Sequence, residues 1–241
     1  TININTKHTS RNIKKIKPFR IPRFGITFLG VGSGFSHDKQ NSSVIIWSEG
    51  KGVLMDVVAE HTTIINNYGI NNNDLNHIFL THVHSDHDAG ILEKILNSQK
   101  TNLISTRIIY ESFLRKAVST TSLSKKSFES LIRFKEVAPN KKIKIPGFKN
   151  TYFEFDYSLH SIPSGRCKIT YIQGSIKKSI SHSGDTKYDI EKINKWHKNG
   201  TFTNKRKNSL IGFIWDSDLI VHDVGGGILH TNHNSLLQLQ N

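Results

Sequence analysis

The sequence holds a single cysteine, Cys167, in 241 residues. No internal disulfide can form, and a zinc site made only of cysteines is excluded. No run of 18 or more apolar residues occurs, so no segment is suited to cross a membrane as a helix. The first twenty residues are basic but have no apolar core, and they do not read as a secretory signal. Acidic residues are also scarce: 19 Asp and Glu stand against 33 Lys and Arg, a formal net charge of +14. Hydrophobic residues at 36% and charged residues at 22% exclude wholesale disorder. The length suits one large domain, or at most two small ones, with a core of its own. A soluble, cytoplasmic protein without membrane contact is expected.

The charge raises nucleic acid as a partner. The lysines, however, are spread from Lys7 to Lys207 and form no single stripe. That spread equally describes solvated faces of a sequence rich in Lys, Asn and Ile, so RNA is kept as a partner that is not favoured. The 13 histidines carry more information, because several are clustered.

Residues 1–22 are polar and basic, with Pro18 and Pro22 as breakers. They read as an arm or linker, and residues 23–241 as the domain. Apolar runs and alternation predict strands over residues 25–29, 41–47, 52–55, 77–80, 104–106, 152–159, 167–172, 179–182 and 219–222. Helical spacing is present over residues 58–68, from His87 through Leu96, and over 107–118, 125–134 and 189–196. A further helix opens at Ser235 and runs to Leu239. Strands, then helix–strand units, then strands again predict an α/β protein of two sheets faced by helices.

The run Thr81-His82-Val83-His84-Ser85-Asp86-His87-Asp88 follows an apolar strand and precedes a helix. In an extended segment residues two apart point the same way, so His82 and His84 can share one ion. Asp86 and His87, at the turn into the helix, face the same cavity from another side. That arrangement supports two adjacent metal ions. Imidazole and carboxylate donors suit zinc, iron or manganese.

The motif HxHxDH at a strand-to-helix turn resembles the metallo-β-lactamase-fold hydrolases. The resemblance implies a four-layer αβ/βα sandwich of two mixed sheets, with the metal site at one edge. Leu54-Met55-Asp56 is similar to the strand end whose aspartate supports the metal loop. His160 matches the third histidine of the first metal, and Asp185, in Ser183-Gly184-Asp185-Thr186, the aspartate that bridges both. Phe28-Leu29-Gly30-Val31-Gly32-Ser33-Gly34, followed by Asn41-Ser42-Ser43, resembles the opening of the tRNase Z-like branch.

The segment Asp218 to Asp223 resembles the strand that carries His-Glu in that branch. His222 would contact phosphate and donate a proton; Asp223 stands where Glu is usual, which puts its pairing with His222 in question. Residues 225–231, with three glycines before His230-Thr231, resemble the following His-Ser/Thr motif and equally fit a flexible loop. His233 reads as a solvated residue at a helix start. The last metal histidine of the branch is expected on a strand beyond Asn241. That makes the domain a truncated one, unless His230 or His233 substitutes or the second site is incomplete. Only residues 161–184 separate His160 from Asp185, which leaves no room for a tRNA-gripping arm. Residues 107–116, 157–163 and 215–231 are similar in texture to the domains of this fold that accompany cyclic-nucleotide-binding domains. Fusion to such a domain, or action beside one, is implied.

These features predict a dinuclear metallohydrolase, a phosphodiesterase acting on a small phosphodiester or nucleotide through a metal-bridged hydroxide. His82, His84 and His160 would hold the first ion, Asp86 and His87 the second, with Asp185 bridging. Asp86 would accept a proton from the attacking water, His222 would protonate or stabilise the leaving oxygen, and Asp56 would orient the imidazoles. Zinc is the expected metal, with manganese or iron as alternatives. Hydrolysis of a carbon ester or thioester, a nuclease activity and a degenerate regulatory module remain as competing readings.

Overall fold

A computed structural model describes residues 17–98, 101–212 and 216–237. Residues 1–16 of the expected arm lie outside these. Phe19 and Ile21 pack on the domain: Phe19 stacks on Trp47 at 5.2 Å between ring centroids, and its N–H donates to the Gly69 carbonyl at 2.9 Å.

The first sheet runs in chain order, β1 (Phe24–Gly30), β2 (Ser43–Ser48), β3 (Lys51–Met55), β4 (His77–Phe79), β5 (Thr101–Ser105) and β6 (Ile132–Glu136). Its first three strands are antiparallel, and β3 to β6 are parallel. The second sheet has the order β11-β10-β9-β8-β7, from β7 (Lys142–Lys144), β8 (Thr151–Tyr157), β9 (Gly165–Gln173), β10 (Ile176–His182) and β11 (Leu219–Val221). Only β10 and β11 pair in parallel. Both sheets are mixed, as expected.

Alternation along the strands builds two cores. Val44, Ile46, Val53, Met55, Phe79 and Ile104 of the first sheet meet Phe153, Phe155, Cys167, Ile169 and Ile180 of the second. The residues between them, Ile45, Trp47, Leu54, Ile78 and Leu103, face the other way. There they meet α1 (His61–Asn67), α3 (Ile91–Leu96), α4 (Arg107–Thr121) and α5 (Lys125–Ser130) through Ile64, Ile91, Phe113 and Phe128. Strands buried on both faces need unbroken apolar runs, which is why β2 reads SVIIWS.

The outer face of the second sheet is polar. Arg166 donates to Asp156 at 2.6 Å and to the Leu210 carbonyl at 3.2 Å, which docks α7 (Asn204–Gly212); α6 (Ile190–Lys198) packs against α7. The result is the four-layer sandwich that the motifs implied.

Two sequence expectations change. The helix expected over residues 125–134 stops at Ser130, and its second half is β6. Leu103 of β5 pairs with Phe134, whose ring stacks on Tyr110 at 3.9 Å. Sheet pairing there outweighs local helical spacing. The elements β7 and α7 had no apolar signature: β7 has three residues, and α7 buries only Leu210 and is held by the Arg166 network. The short helix α2 (Ser85–Asp88) precedes α3, and α8 (His233–Leu237) starts before Ser235. The expected end of that helix at Leu239 lies outside the described residues. Among the described residues, no helix is long and apolar enough to cross a membrane.

Candidate metal centre

The C-terminal ends of β4, β8, β10 and β11 meet at one edge of the sandwich, where the Gly165 N–H bonds to the Thr81 carbonyl at 2.8 Å. Asp56, just past β3, takes a left-handed backbone with φ 62°, a conformation that aspartate tolerates. Its carboxylate is buried. One oxygen accepts from the Thr81 N–H at 2.7 Å; the other accepts from Thr81 Oγ1 at 2.7 Å and from His87 Nδ1 at 2.8 Å. With both oxygens engaged, Asp56 orients its neighbours.

The proton positions follow from this network. Thr81 Oγ1 gives its hydrogen to Asp56, so it accepts from His82 Nδ1 at 2.9 Å. The His82 Nε2 lone pair then faces the site. His87 gives its Nδ1 hydrogen to Asp56 and turns Nε2 the same way. Carboxylate and hydroxyl partners that fix an imidazole in this manner are the usual support of a metal-ligating histidine.

The nitrogens converge to hydrogen-bond distance without enough hydrogens to go between them. His82 Nε2 lies 3.0 Å from His84 Nδ1, which lies 3.2 Å from His160 Nε2. Asp185 Oδ2 is 3.7 Å from His82 Nε2 and 3.9 Å from His160 Nε2. Tetrahedral ligands at the Zn–N length of about 2.0–2.1 Å would stand about 3.3 Å apart. His84 Nδ1 can share at most one hydrogen with its two neighbours, so lone pairs oppose each other unless a cation lies between them. The donor set fits a divalent ion.

A second group shares the same carboxylate oxygen. His87 Nε2 lies 3.5 Å from Asp86 Oδ2 and 3.3 Å from Asp185 Oδ2. His230 Nδ1 lies 3.8 Å from Asp185 Oδ2 and 2.8 Å from Asp223 Oδ2. Four histidines therefore surround one oxygen of Asp185.

The second sheet holds its share of donors with separate ties. Gly184, with φ 55°, lies so close to the Gly165 carbonyl that a Cβ would stand 2.3 Å from its oxygen. Ser158 Oγ donates to the Asp185 carbonyl at 2.7 Å. Asp223 accepts from the N–H of Thr186 at 3.0 Å and of Gly225 at 2.8 Å. Lys187 donates to the carbonyls of Gly227 at 2.6 Å and His230 at 2.9 Å.

Burial works against a charge on His87, but hydrogen bonds to Asp185, Asp56 and Asp86 overcome it and push its pKa up to about 12. Asp185 is half-buried, which raises its pKa, yet His87, His82 and His160 hold it well below the usual carboxylate range. Burial, with His87 beside it, takes His82 down to about 3, and burial lowers His160. The cluster thus keeps a cation on its carboxylate-rich side and neutral imidazoles on the other.

The six expected ligands, His82, His84, Asp86, His87, His160 and Asp185, are brought together. His222 stands outside the ligand clusters among the described residues. Its Nδ1 donates to the Asp223 carbonyl at 2.7 Å, and burial lowers its pKa. The Asp223 carboxylate, whose pairing with His222 was in question, takes His230. His233 is exposed at the start of α8. Sequence reading missed Thr81, Lys187 and the buried His182, and it left His230 open. The adjacent His230-Thr231 pair was the signal for the last of these: Thr231 Oγ1 donates to the Thr186 carbonyl at 2.8 Å.

Comparison with known proteins now bears on this geometry. The family model described as anti-Pycsar protein Apyc1 matches residues 24–241. The chain is 39% identical over 228 residues to cAMP/cGMP-dependent 3′,5′-cAMP/cGMP phosphodiesterase B of Dictyostelium discoideum, covering 94% of the chain and 20% of that protein. It is 31% identical over 215 residues to cGMP-dependent 3′,5′-cGMP phosphodiesterase A of the same organism, covering 89% of the chain and 24% of that protein. The chain thus spans about a fifth to a quarter of the length of these relatives. Among solved structures, human tRNase Z, short form, aligns with a TM-score of 0.58 at 15% identity, covering 88% of this chain and 86% of that one. The metallo-β-lactamase fold protein YhfI of Bacillus subtilis aligns with a TM-score of 0.52 at 16% identity, covering 71% and 66%. The fold is the metallo-β-lactamase fold.

Proposed function

The chain belongs to the Apyc1 family, and from that premise we propose that it is a divalent-metal-dependent phosphodiesterase acting on a 3′,5′-cyclic nucleotide. The observation that carries this reading is Asp185 Oδ2, which stands 3.3–3.9 Å from His82, His87, His160 and His230. One oxygen shared in this way is what a two-ion site needs. Relatives named as cyclic-nucleotide phosphodiesterases supply the substrate class. A cyclic-nucleotide-binding domain, in the same polypeptide or acting beside it, belongs to the same proposal.

His82, His84 and His160 would hold one ion; Asp86, His87 and His230 the other, with Asp185 between them. His230, which the sequence left open, stands 3.8 Å from Asp185 Oδ2. Zinc suits so many imidazoles, and manganese or iron would be accepted less selectively. Ions held there supply Lewis acidity towards a phosphoryl oxygen and lower the pKa of water. Asp86, part-exposed beside His87, accepts the proton of the attacking water. His222, with Nδ1–H fixed on the Asp223 carbonyl, presents Nε2 as the position that exchanges a proton with the leaving oxygen. Asp56 and Thr81 keep His82 and His87 in the tautomers that ligation requires.

The test is turnover by purified protein loaded with zinc or manganese. It would be offered cGMP, cAMP, bis-p-nitrophenyl phosphate and a thioester. Conversion of a cyclic nucleotide to the 5′-nucleotide is expected, with two metal equivalents per chain and loss of activity on chelation. Turnover of the thioester alone would overturn the proposal.

A further inference from the structure

Large apolar side chains are unusually exposed at the rim of the metal cluster. Of the twelve most exposed among the described residues, six fall in two short stretches, residues 28–35 and 224–229. Phe35 is 92% exposed, Ile228 88% and Val31 72%. Single exposed apolar residues need no explanation, but a group of them beside a charged centre does.

Both stretches touch the site. Residues 33–36 form a tight turn: the Ser36 N–H donates to the Ser33 carbonyl at 3.0 Å, and the Ser33 N–H donates to Ser36 Oγ at 3.0 Å. Gly34 lies against Asp86, and a Cβ there would stand 2.5 Å from Asp86 Oδ2. Phe35 is therefore raised into solvent one residue from a close contact with a proposed ligand. From the second sheet, Ile228 lies between Gly227 and His230, whose carbonyls Lys187 grips. An aromatic ring and aliphatic side chains bordering an anion-attracting centre fit one class of ligand: an anionic phosphate that carries a planar, weakly polar group.

We propose that Phe35, in an exposed apolar rim that also holds Val31 and Ile228, is the wall that stacks the nucleobase of a nucleotide whose phosphate lies at the metal centre. The proposal rests on the phosphodiesterase reading for its phosphate, and it adds the residues that select nucleotides over other phosphodiesters. Stacking reads the π-face that every base has, so the wall accepts more than one base and sets affinity more than base identity.

The experiment compares guanosine 5′-monophosphate with ribose 5-phosphate, both binding to zinc-loaded protein and measured by calorimetry. Wild type should prefer the nucleotide by about tenfold or more, in the range of one base–aromatic stack. Phe35→Ala should shrink that preference to within about twofold, and Phe35→Trp should keep it. Ribose 5-phosphate should bind all three proteins alike, which confirms an intact metal centre. Equal affinity of wild type for the two ligands, or a Phe35→Ala variant that keeps the preference, overturns the proposal. If no phosphodiester is turned over but the preference and its loss are seen, the enzymatic reading fails and the wall stands. If cyclic nucleotides are turned over and Phe35→Ala leaves their KM unchanged, the wall fails and the enzymatic reading stands.

Discussion

The two sheets contribute to the proposed metal centre in different ways. The first sheet delivers His82, His84, Asp86 and His87 from one continuous turn after β4, with the buried Asp56 bracing His87 directly and His82 through Thr81. The second delivers His160, Asp185 and His230 from three separate loops, tied by Ser158, Asp223 and Lys187. A ligand set on one turn is ordered once the turn folds. A ligand set on three loops needs three sets of ties, and each tie can fail alone. Asp185 is where the two halves meet, because its Oδ2 faces histidines from both.

Removing that meeting point should have the largest effect. Asp185→Asn keeps the shape but lowers the negative charge shared by both groups. Activity should fall by about 10³-fold or more, at least the cost of losing one strong charge-stabilising donor. Bound metal, measured by atomic absorption, should drop below two equivalents. Full metal occupancy with near-normal turnover would break the picture of a shared carboxylate.

The halves should also differ in how metal binding depends on pH. In the metal-free protein the His87 pKa stands at about 12, above its ordinary 6.5. Its stabilising charge is therefore complete below about pH 6.5 and is lost only as pH rises through about 12. Asp185 has the opposite sign: its contribution is present above the ordinary aspartate value and is lost as pH falls through its depressed one. Metal entering beside His87 must displace a proton, whereas His82, at about 3, has none to lose at neutral pH. Between pH 7 and 9 affinity on the Asp86–His87 side should rise about tenfold per pH unit, with one proton released. Affinity on the His82–His84–His160 side should stay flat. Calorimetry in buffers of different ionisation enthalpy counts the protons; equal release at both sides would erase the contrast.

The braces separate the halves more gently. Asp56→Asn weakens support for His87 and, through Thr81, for His82, so metal affinity should fall about 10- to 100-fold. Asp223→Asn disturbs His230 and the Thr186 and Gly225 ties of the second-sheet loops, but no brace of the first-sheet turn, and should weaken only one of two binding events, by about tenfold. Competition with a chromophoric chelator reads both steps. A uniform loss in Asp223→Asn would show that the second-sheet loops act as one unit.

The same contrast explains what could be read in the sequence. His82 to His87 are consecutive, so their chemistry is visible as spacing. The apolar runs of β2, β4 and β8 likewise announce a two-sheet core. His160 and Asp185 could be assigned only by their order behind that motif, since each alone is an ordinary strand-end residue. His230 was hidden by its approach through three glycines, and Asp223 by its place beside His222, since its carboxylate holds His230 instead of serving only its neighbour. Residues 132–134 fit a helical spacing because the partner strand that makes them β6 lies 31 residues earlier, in β5. α7 has no apolar stripe at all, since Arg166 holds it through backbone carbonyls.

The smallest expected effect tests whether the His230 loop is held from outside the ligand set. Lys187 is buried and spans from the loop two residues after Asp185 to the carbonyls of Gly227 and His230. Hydrogen bonds from a charged group are worth about 1.5–3 kcal/mol each. The loop keeps its other ties, the Asp223–His230 bond and the Thr231 bonds to Thr186 and Tyr188 on either side of Lys187. Lys187→Met should therefore lower kcat/KM only about fivefold, a fraction of what the two bonds could supply. Stopped-flow chelation should remove one of the two metal equivalents faster than in wild type, and Lys187→Arg should restore part of the difference. A Lys187→Met protein that loses both equivalents at equal rates would place Lys187 in the general stability of the domain. Loss of one marks it as the residue that positions His230.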